Sequence, residues 1–225
     1  MIFFFKIITL IRIGDTMASI PELEVIRRNQ ILEAAIAVIS KNGSAHVTMA
    51  EVAEAAGLSK GGLAHYFKSK DELFKESFRY YYSVIFQFFK QAMDGCDGPI
   101  EKILGFGLPL FNREIPQVNM AYKLLYDLVT LSSHDEDYRT LYCEWIDEWL
   151  TLKQSALDEG IRCGFFIEHD SLSLAMTISS IFQGITTRWY FYPERHTREW
   201  AEQAFEEAIR NLLKPYIVKQ QTPAA

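Results

Sequence analysis

Apolar residues recur at intervals of three and four along the chain, as at Ile31, Ala34, Ala35, Val38 and Ile39, and no hairpin dipeptide separates alternating runs. That period gathers apolar side chains on one face of a helix, whereas a half-buried strand needs a period of two. The chain is therefore expected to be all-α. With 225 residues, 49% hydrophobic and 14% aromatic, it can bury one substantial core and a smaller satellite unit.

Helix punctuation divides the chain further. Pro21 suits a first helical turn, and the apolar stripe from Leu23 to Ile39 stops at Asn42-Gly43. Thr48-Met-Ala-Glu51 has the spacing of a capping box, in which hydroxyl and carboxylate satisfy each other's orphan amides. A second helix then runs to about Ala55, Ala56-Gly57-Leu58 forms a tight turn, and Ser59 caps a third short helix ending near Tyr66. Ser69-Lys-Asp-Glu72 is a second capping box, opening a long helix to about Met93. Later starts are expected at Gly98-Pro99, Ile115-Pro116, Ser133 to Asp135, Glu168 to Ser171 and Pro193 to Thr197, about nine helices in all. The last two are expected over roughly 171–191 and 197–214. The organisation this predicts is a leader (1–20), a small helical head (21–70), a helical body (71–216) and a disordered tail (217–225).

Charge is unevenly divided. Residues 1–70 carry 8 Lys/Arg and 6 Asp/Glu (+2), and the rest carry 15 and 23 (−8), which together make the net −6. An attraction to nucleic acid would be local to the head, and the acidic body would favour head-first docking. Cys96, Cys143 and Cys163 lack the close pairing of a metal knuckle or redox motif and read as reduced cytoplasmic thiols, with redox sensing the alternative. The leader MIFFFKIITLIRI is too short to span a bilayer, and Lys6 and Arg12 interrupt it. It reads as the product of a misassigned start codon upstream of Met17, the rival reading being a weak membrane-surface anchor.

Function concentrates in residues 48–74, TMAEVAEAAGLSKGGLAHYFKSKDELF. Two short helices joined by a glycine-containing turn can present the second to a DNA major groove. Val52, Ala53 and Leu58 would hold the pair together. That leaves Ser59, Lys60, Gly61, Gly62 and His65 outside. Two adjacent glycines cost a helix roughly 1 kcal/mol each relative to alanine, and close backbone approach to DNA gives them a reason.

From about Arg27 to Phe74 the sequence resembles the tetracycline-repressor (TetR) family of transcriptional regulators. The resemblance implies that Thr48, Tyr66 and Lys70 contact phosphates, that Ser59, Lys60, Gly61, Gly62 and His65 face the operator, and that Leu63 and Phe67 anchor the recognition helix. The chemistry agrees. A capped helix start offers amides to phosphate, and Lys60 has the reach to donate to guanine O6 and N7. Ala64 departs from the family, which often has a tyrosine there bracing a phosphate. This chain would then lean on His65 and Tyr66, or present a methyl to thymine.

The body carries no comparable motif. Its aromatic residues read as core or, in part, as an apolar effector pocket, with Phe106, Tyr122, Tyr126, Trp145, Trp149 and Phe182 the candidates and Asp127, Asp147 or Arg188 a polar anchor. Paired aromatics beside a carboxylate would suit a cationic ligand. His134-Asp-Glu-Asp137 reads as a solvated helix start, since four consecutive residues cannot all face one ion, and no metal or cofactor is expected. No nucleophile, base and orienting residue stand at a recognisable spacing, so an enzyme has little support. The last two helices, with Phe182, Ile185, Trp189, Phe205 and Ile209, are expected to form a homodimer interface resembling the family's four-helix bundle. Two heads would then meet a palindromic operator whose half-sites lie about 34–36 Å apart. The expected whole is a cytoplasmic, ligand-responsive repressor of double-stranded DNA with no membrane partner. An activator with the same head, or an interaction protein with a vestigial head, are the alternatives.

Overall fold

A computed structural model describes residues 20–218. Among them lie nine α-helices: α1 (Ile20–Asn42), α2 (Met49–Ala55), α3 (Lys60–Tyr66), α4 (Lys70–Asp94), α5 (Pro99–Gly107), α6 (Pro116–Ser132), α7 (Glu136–Arg162), α8 (Ser171–Phe191) and α9 (Arg198–Leu213). Short 3-10 turns follow α1, α5 and α9. The leader expected over residues 1–19, with its question of the start codon, lies outside the described residues, as does the tail beyond Val218.

The described residues form two compact units, one reaching Tyr82 and adding Lys123–His134, the other comprising the remainder. Head packing thus runs past the expected boundary at residue 70, through the first turns of α4, and draws in the second half of α6. The reason is visible in burial: Leu73, Phe74 and Phe78 on α4, with Leu128 on α6, are buried along with Ile31, Ala35, Val52, Leu63 and Phe67. A three-helix head of some fifty residues buries little apolar surface by itself, and these further turns enlarge its core.

Local chemistry sets the ends of the head's helices. Gly43 and Gly57 stand at φ 76° and 65°, the left-handed conformation that ends α1 and turns the chain from α2 toward α3. Thr48 and Glu51 form the full capping box, with the Glu51 amide donating to Thr48 Oγ1 (3.3 Å) and the Thr48 amide to Glu51 Oε2 (2.7 Å). The Ser69 box closes differently. Ser69 Oγ accepts from the Glu72 amide (3.0 Å), but the Glu72 carboxylate accepts from the Lys68 amide (2.7 Å), one residue further out.

In the second unit α7 packs on α8, α8 on α9, and α5 on both α7 and α9. The α5 end approaches α9 so closely that a Cβ on Gly107 would lie 2.2 Å from the Phe205 ring, so only glycine fits. The body's caps fall where the sequence puts them: Asp135 accepts from the Asp137 amide, Asp170 from the Ser173 amide and Thr197 from the Trp200 amide. Ile217 and Val218, expected in a disordered tail, instead join the body: Phe166 and Ile217 make an antiparallel bridge, and the Val218 amide donates to Phe165 O (2.9 Å).

Candidate nucleic-acid interface and effector site

Recognition helix α3 is sorted by burial into two faces. Leu63 and Phe67 are fully buried, while Ser59, Lys60, Gly61, Ala64 and His65 are exposed and Gly62 and Tyr66 half-buried. Ser59 Oγ accepts from the Gly62 amide (3.1 Å), so the helix starts on a satisfied cap. A Cβ at Gly61 would meet nothing nearer than Ser59 Oγ at 4.0 Å. Nothing inside the protein therefore requires glycine there.

The expected phosphate contacts share one region. Lys70 lies close enough to Glu51 to help hold its carboxyl below the usual range, after the stronger effects of the Thr48 backbone and side-chain hydrogen bonds. The N-terminus of α2, carrying Thr48, and that of α4, carrying Lys70, are thus neighbours. The Lys70 ammonium sits 5.0 Å from the Phe74 ring centroid, which steadies a long side chain at modest cost.

Two positioning residues escaped the sequence reading. Arg28 on α1 donates to Tyr66 O (3.0 Å), pairs with Glu76 (3.2 Å) and lies 4.2 Å from the Phe67 ring centroid. It clamps the C-terminal end of α3 to the head. Lys68 donates to Ala64 O (3.2 Å) and satisfies a carbonyl at the same end. A basic residue just beyond a short helix was the available signal for Lys68. Arg28 acts across 38 residues of chain, and local spacing carries no trace of that.

Of the aromatic candidates in the body, Phe106, Trp149 and Phe182 come together, with centroids 4.8 Å apart for Phe106 and Trp149 and 5.3 Å for Phe106 and Phe182. Trp145 extends the group, 6.2 Å from Trp149. Tyr122 belongs to a second group with Trp189 (5.4 Å) and Tyr190 (5.3 Å), and its hydroxyl donates to Leu110 O (3.0 Å). Phe111 links the two groups through Phe182 and Trp189.

The remaining candidates are corrected. Tyr126 and Asp127 belong to the first unit, where the Asp127 carboxylate accepts from the buried Ser44 amide at 2.7 Å and is committed to holding the turn after α1. Asp147 and Arg188 point to solvent. The cation that does meet aromatic faces in the second group is Arg113, 4.6 Å from the Trp189 centroid and donating to Trp189 O (2.6 Å). In the first group it is Lys153, 4.3 Å from the Phe106 centroid. The protein's own cations take these faces, which removes the expected basis for a cationic ligand. Lys153 was missed although Trp145, Trp149 and Lys153 stand four residues apart on one stripe of α7.

Of the expected interface residues three are corrected, while Phe182 and Ile185 are half-buried. Trp189, Phe205 and Ile209 are 2%, 0% and 0% exposed, completing the core of one chain, and Phe182 packs inward against Phe106 and Phe205.

Comparison with known proteins bears on this arrangement. Residues 31–77 match the family described as "Bacterial regulatory proteins, tetR family", and residues 114–214 match "BetI-type transcriptional repressor, C-terminal". The chain belongs to the TetR family. It is a DNA-binding transcriptional regulator with an N-terminal helix-turn-helix head. Among curated TetR-family relatives, the HTH-type transcriptional repressor KstR2 of Mycolicibacterium smegmatis is 24% identical over 170 residues, 73% of this chain and 79% of that protein. Among solved TetR-family structures, a transcriptional regulator from Cytophaga hutchinsonii superposes with a TM-score of 0.78 at 17% identity, over 91% of this chain and 100% of the other. A transcriptional regulator from Saccharomonospora viridis in complex with choline superposes with a TM-score of 0.67 at 19% identity, over 86% and 98%. At such identities the structural likeness speaks for the fold.

Proposed function

We propose that the protein is a homodimeric repressor that reads a palindromic operator with two copies of α3 and leaves it when a small molecule binds the body. The observation that carries the DNA-reading part is the two-faced α3, with Leu63 and Phe67 at 0% exposure and Lys60, Gly61, Ala64 and His65 outward. In this reading Lys60 and His65 donate to base edges, and Gly61 and Gly62 let the backbone approach the groove. Thr48, Tyr66 and Lys70 hold phosphates, and Ser59 faces the operator from the start of α3. The working domains are the head over 21–70, stabilised by its neighbouring turns, and the effector and dimerisation body over 71–216.

Dimerisation is assigned to the outer face of α8 rather than to its buried side. Leu172, Met176 and Phe191 are 46%, 55% and 60% exposed, and Ser180, Gly184 and Thr187 continue the same three-to-four-residue stripe with small side chains. Nothing lies within 4 Å of a Cβ placed on Gly184, so a second helix can approach there. A stripe five turns long on the outside of a folded chain, apolar at Leu172, Met176 and Phe191 and small-sided between, is what a partner helix covers.

Release by effector follows from shared helices. Both α4 and α6 contribute residues to each compact unit, so a ligand that shifts either one in the body alters the head and, in a dimer, the spacing of the two recognition helices. No helix among the described residues is long and apolar enough to cross a membrane, and the proposed place of action is chromosomal DNA in the cytoplasm.

The test is binding to a palindrome from the DNA upstream of the protein's own gene, measured against salt, for the full-length protein and its Lys60→Ala and Lys70→Ala variants. Lys70→Ala should lower the slope of log affinity against log salt by about one unit, and Lys60→Ala should relax base preference at one position per half-site. If selection from random sequences also recovers no preferred site, the reading is wrong.

A further inference from the structure

The first aromatic group of the body is built around a charge. Lys153 lies one turn beyond Trp149 on α7 and is 3% exposed. Its Nζ is 4.3 Å from the Phe106 ring centroid and 5.9 Å from that of Trp149, and it donates to Trp149 O at 3.2 Å. An ammonium has three N–H donors, and this carbonyl takes one. Among the described residues no carboxylate pairs with it, and burial alone pushes its pKa down to about 7. Beside it a second donor is orphaned: Trp149 Nε1–H is buried and has no acceptor.

An orphaned indole N–H and an ammonium with one of its three donors satisfied, both set among aromatic rings, define what would complement them. The indole N–H lacks an acceptor and the lysine lacks a counter-charge, and each absence is a cost of burial. The complement is a monoanion with two acceptor oxygens. A cation is excluded by the ammonium already on the ring faces. A phosphate dianion would bring more charge into an apolar site than one lysine can balance. Two members of the group reach the surface, since Phe86 and Trp145, 5.2 and 6.2 Å from the Trp149 centroid, are both only half-buried.

We propose that the effector is an organic carboxylate with an apolar body, its carboxylate paired with Lys153 and Trp149 Nε1 and its body laid among Phe86, Phe106, Trp145 and Phe182. This rests on the effector-responsive reading given above and names the ligand class for that site. It differs from the cationic choline of the Saccharomonospora viridis regulator, because here Lys153 supplies the positive charge from within.

The experiment titrates full-length protein with naphthalene-2-carboxylate and with octanoate, each against its uncharged primary amide, following tryptophan fluorescence at pH 6.5. At least one acid should bind about 30-fold more tightly than its amide and quench the signal. Lys153→Met should abolish that preference, while its melting curve shows the fold intact. Equal binding of acid and amide by the wild type, an acid preference that survives in Lys153→Met, or no binding of either acid each overturns the proposal. Operator binding is measured alongside. If the amide releases operator as well as its acid does, the repressor reading survives and the carboxylate assignment fails. Protein that binds no operator in the absence of any probe fails the repressor reading instead.

Discussion

Replacing Lys153 with methionine should stabilise the ligand-free protein, and by an amount that depends on pH in one direction only. In the folded chain the ammonium is set against the Phe106 and Trp149 rings and the Trp149 carbonyl, and burial lowers its pKa to about 7 from an ordinary 10.5. A base whose folded pKa is depressed destabilises the fold fully below the folded value. The penalty fades as pH rises toward the unfolded value, where both states are neutral. At about 1.4 kcal/mol per unit, the full penalty is about 5 kcal/mol at pH 6. Methionine matches the volume and lacks the charge, but forfeits the hydrogen bond to Trp149 O and the cation–π contacts, together about 2 kcal/mol. The variant should therefore be about 3 kcal/mol more stable at pH 6, which for a chain of this size raises Tm by roughly 6–12 °C. Between pH 7 and pH 9 that advantage should shrink by about 2 kcal/mol. Paired thermal and urea melts of both proteins at pH 6, 7, 8 and 9 measure it, and groups common to both proteins cancel in the difference. Parallel stability curves, or a variant less stable than wild type at pH 6, would refute the assignment of Lys153 as an uncompensated buried cation.

Gly61→Ala should raise the melting temperature, since alanine favours a helix by about 1 kcal/mol and the added methyl meets only Ser59 Oγ at 4.0 Å, yet weaken operator binding at least about tenfold. A variant that binds as tightly as wild type would remove close backbone approach as the reason for the glycine. Arg28→Ala should cost the head about 1–2 kcal/mol in urea melts and weaken operator binding without altering base preference, because it unclamps α3 from Phe67 and Glu76. Met176→Glu should shift sedimentation from dimer to monomer at micromolar protein while leaving helix content unchanged, and a persistent dimer would move the interface off the outer face of α8.

Where the sequence was legible, the determinants were local. Thr48, Ser59, Asp135, Asp170 and Thr197 each cap a helix within three residues, and these short-range bonds made most boundaries readable to within a residue or two. The outward and inward faces of α3 were readable for the same reason, because Leu63 and Phe67 are four residues apart. The misreadings arose where long-range packing decides. Asp127 looked like a ligand anchor because it sits among aromatics in sequence, but its partner is the Ser44 amide, 83 residues away. Phe205 and Ile209 form an apolar stripe that could have faced another chain or its own, and periodicity does not distinguish the two. The packing of Gly107 against Phe205 decides it.

Departures from local rules are themselves informative. A sequence selected for stability alone would not place two glycines inside a seven-residue helix, nor bury among aromatic rings a lysine without a counter-charge and an indole N–H without an acceptor. Elsewhere the amides at the starts of α2, α3, α7, α8 and α9 find side-chain oxygens. Buried polar atoms of Ser171, Thr186 and His196 also lack partners, but two exceptions bear on function, the outward face of α3 and the Lys153 group. In each, what is missing has a definite chemistry. Around Gly61 it is a surface that can approach a bare backbone, and at Lys153 it is a monoanion. If a two-state regulator keeps its ligand-free state poised by leaving such groups unsatisfied, filling one site can disfavour filling the other through the helices both units share. The same argument requires that a carboxylate raise the melting temperature of wild type far more than that of Lys153→Met, since only in wild type does it relieve a cost already built into the fold.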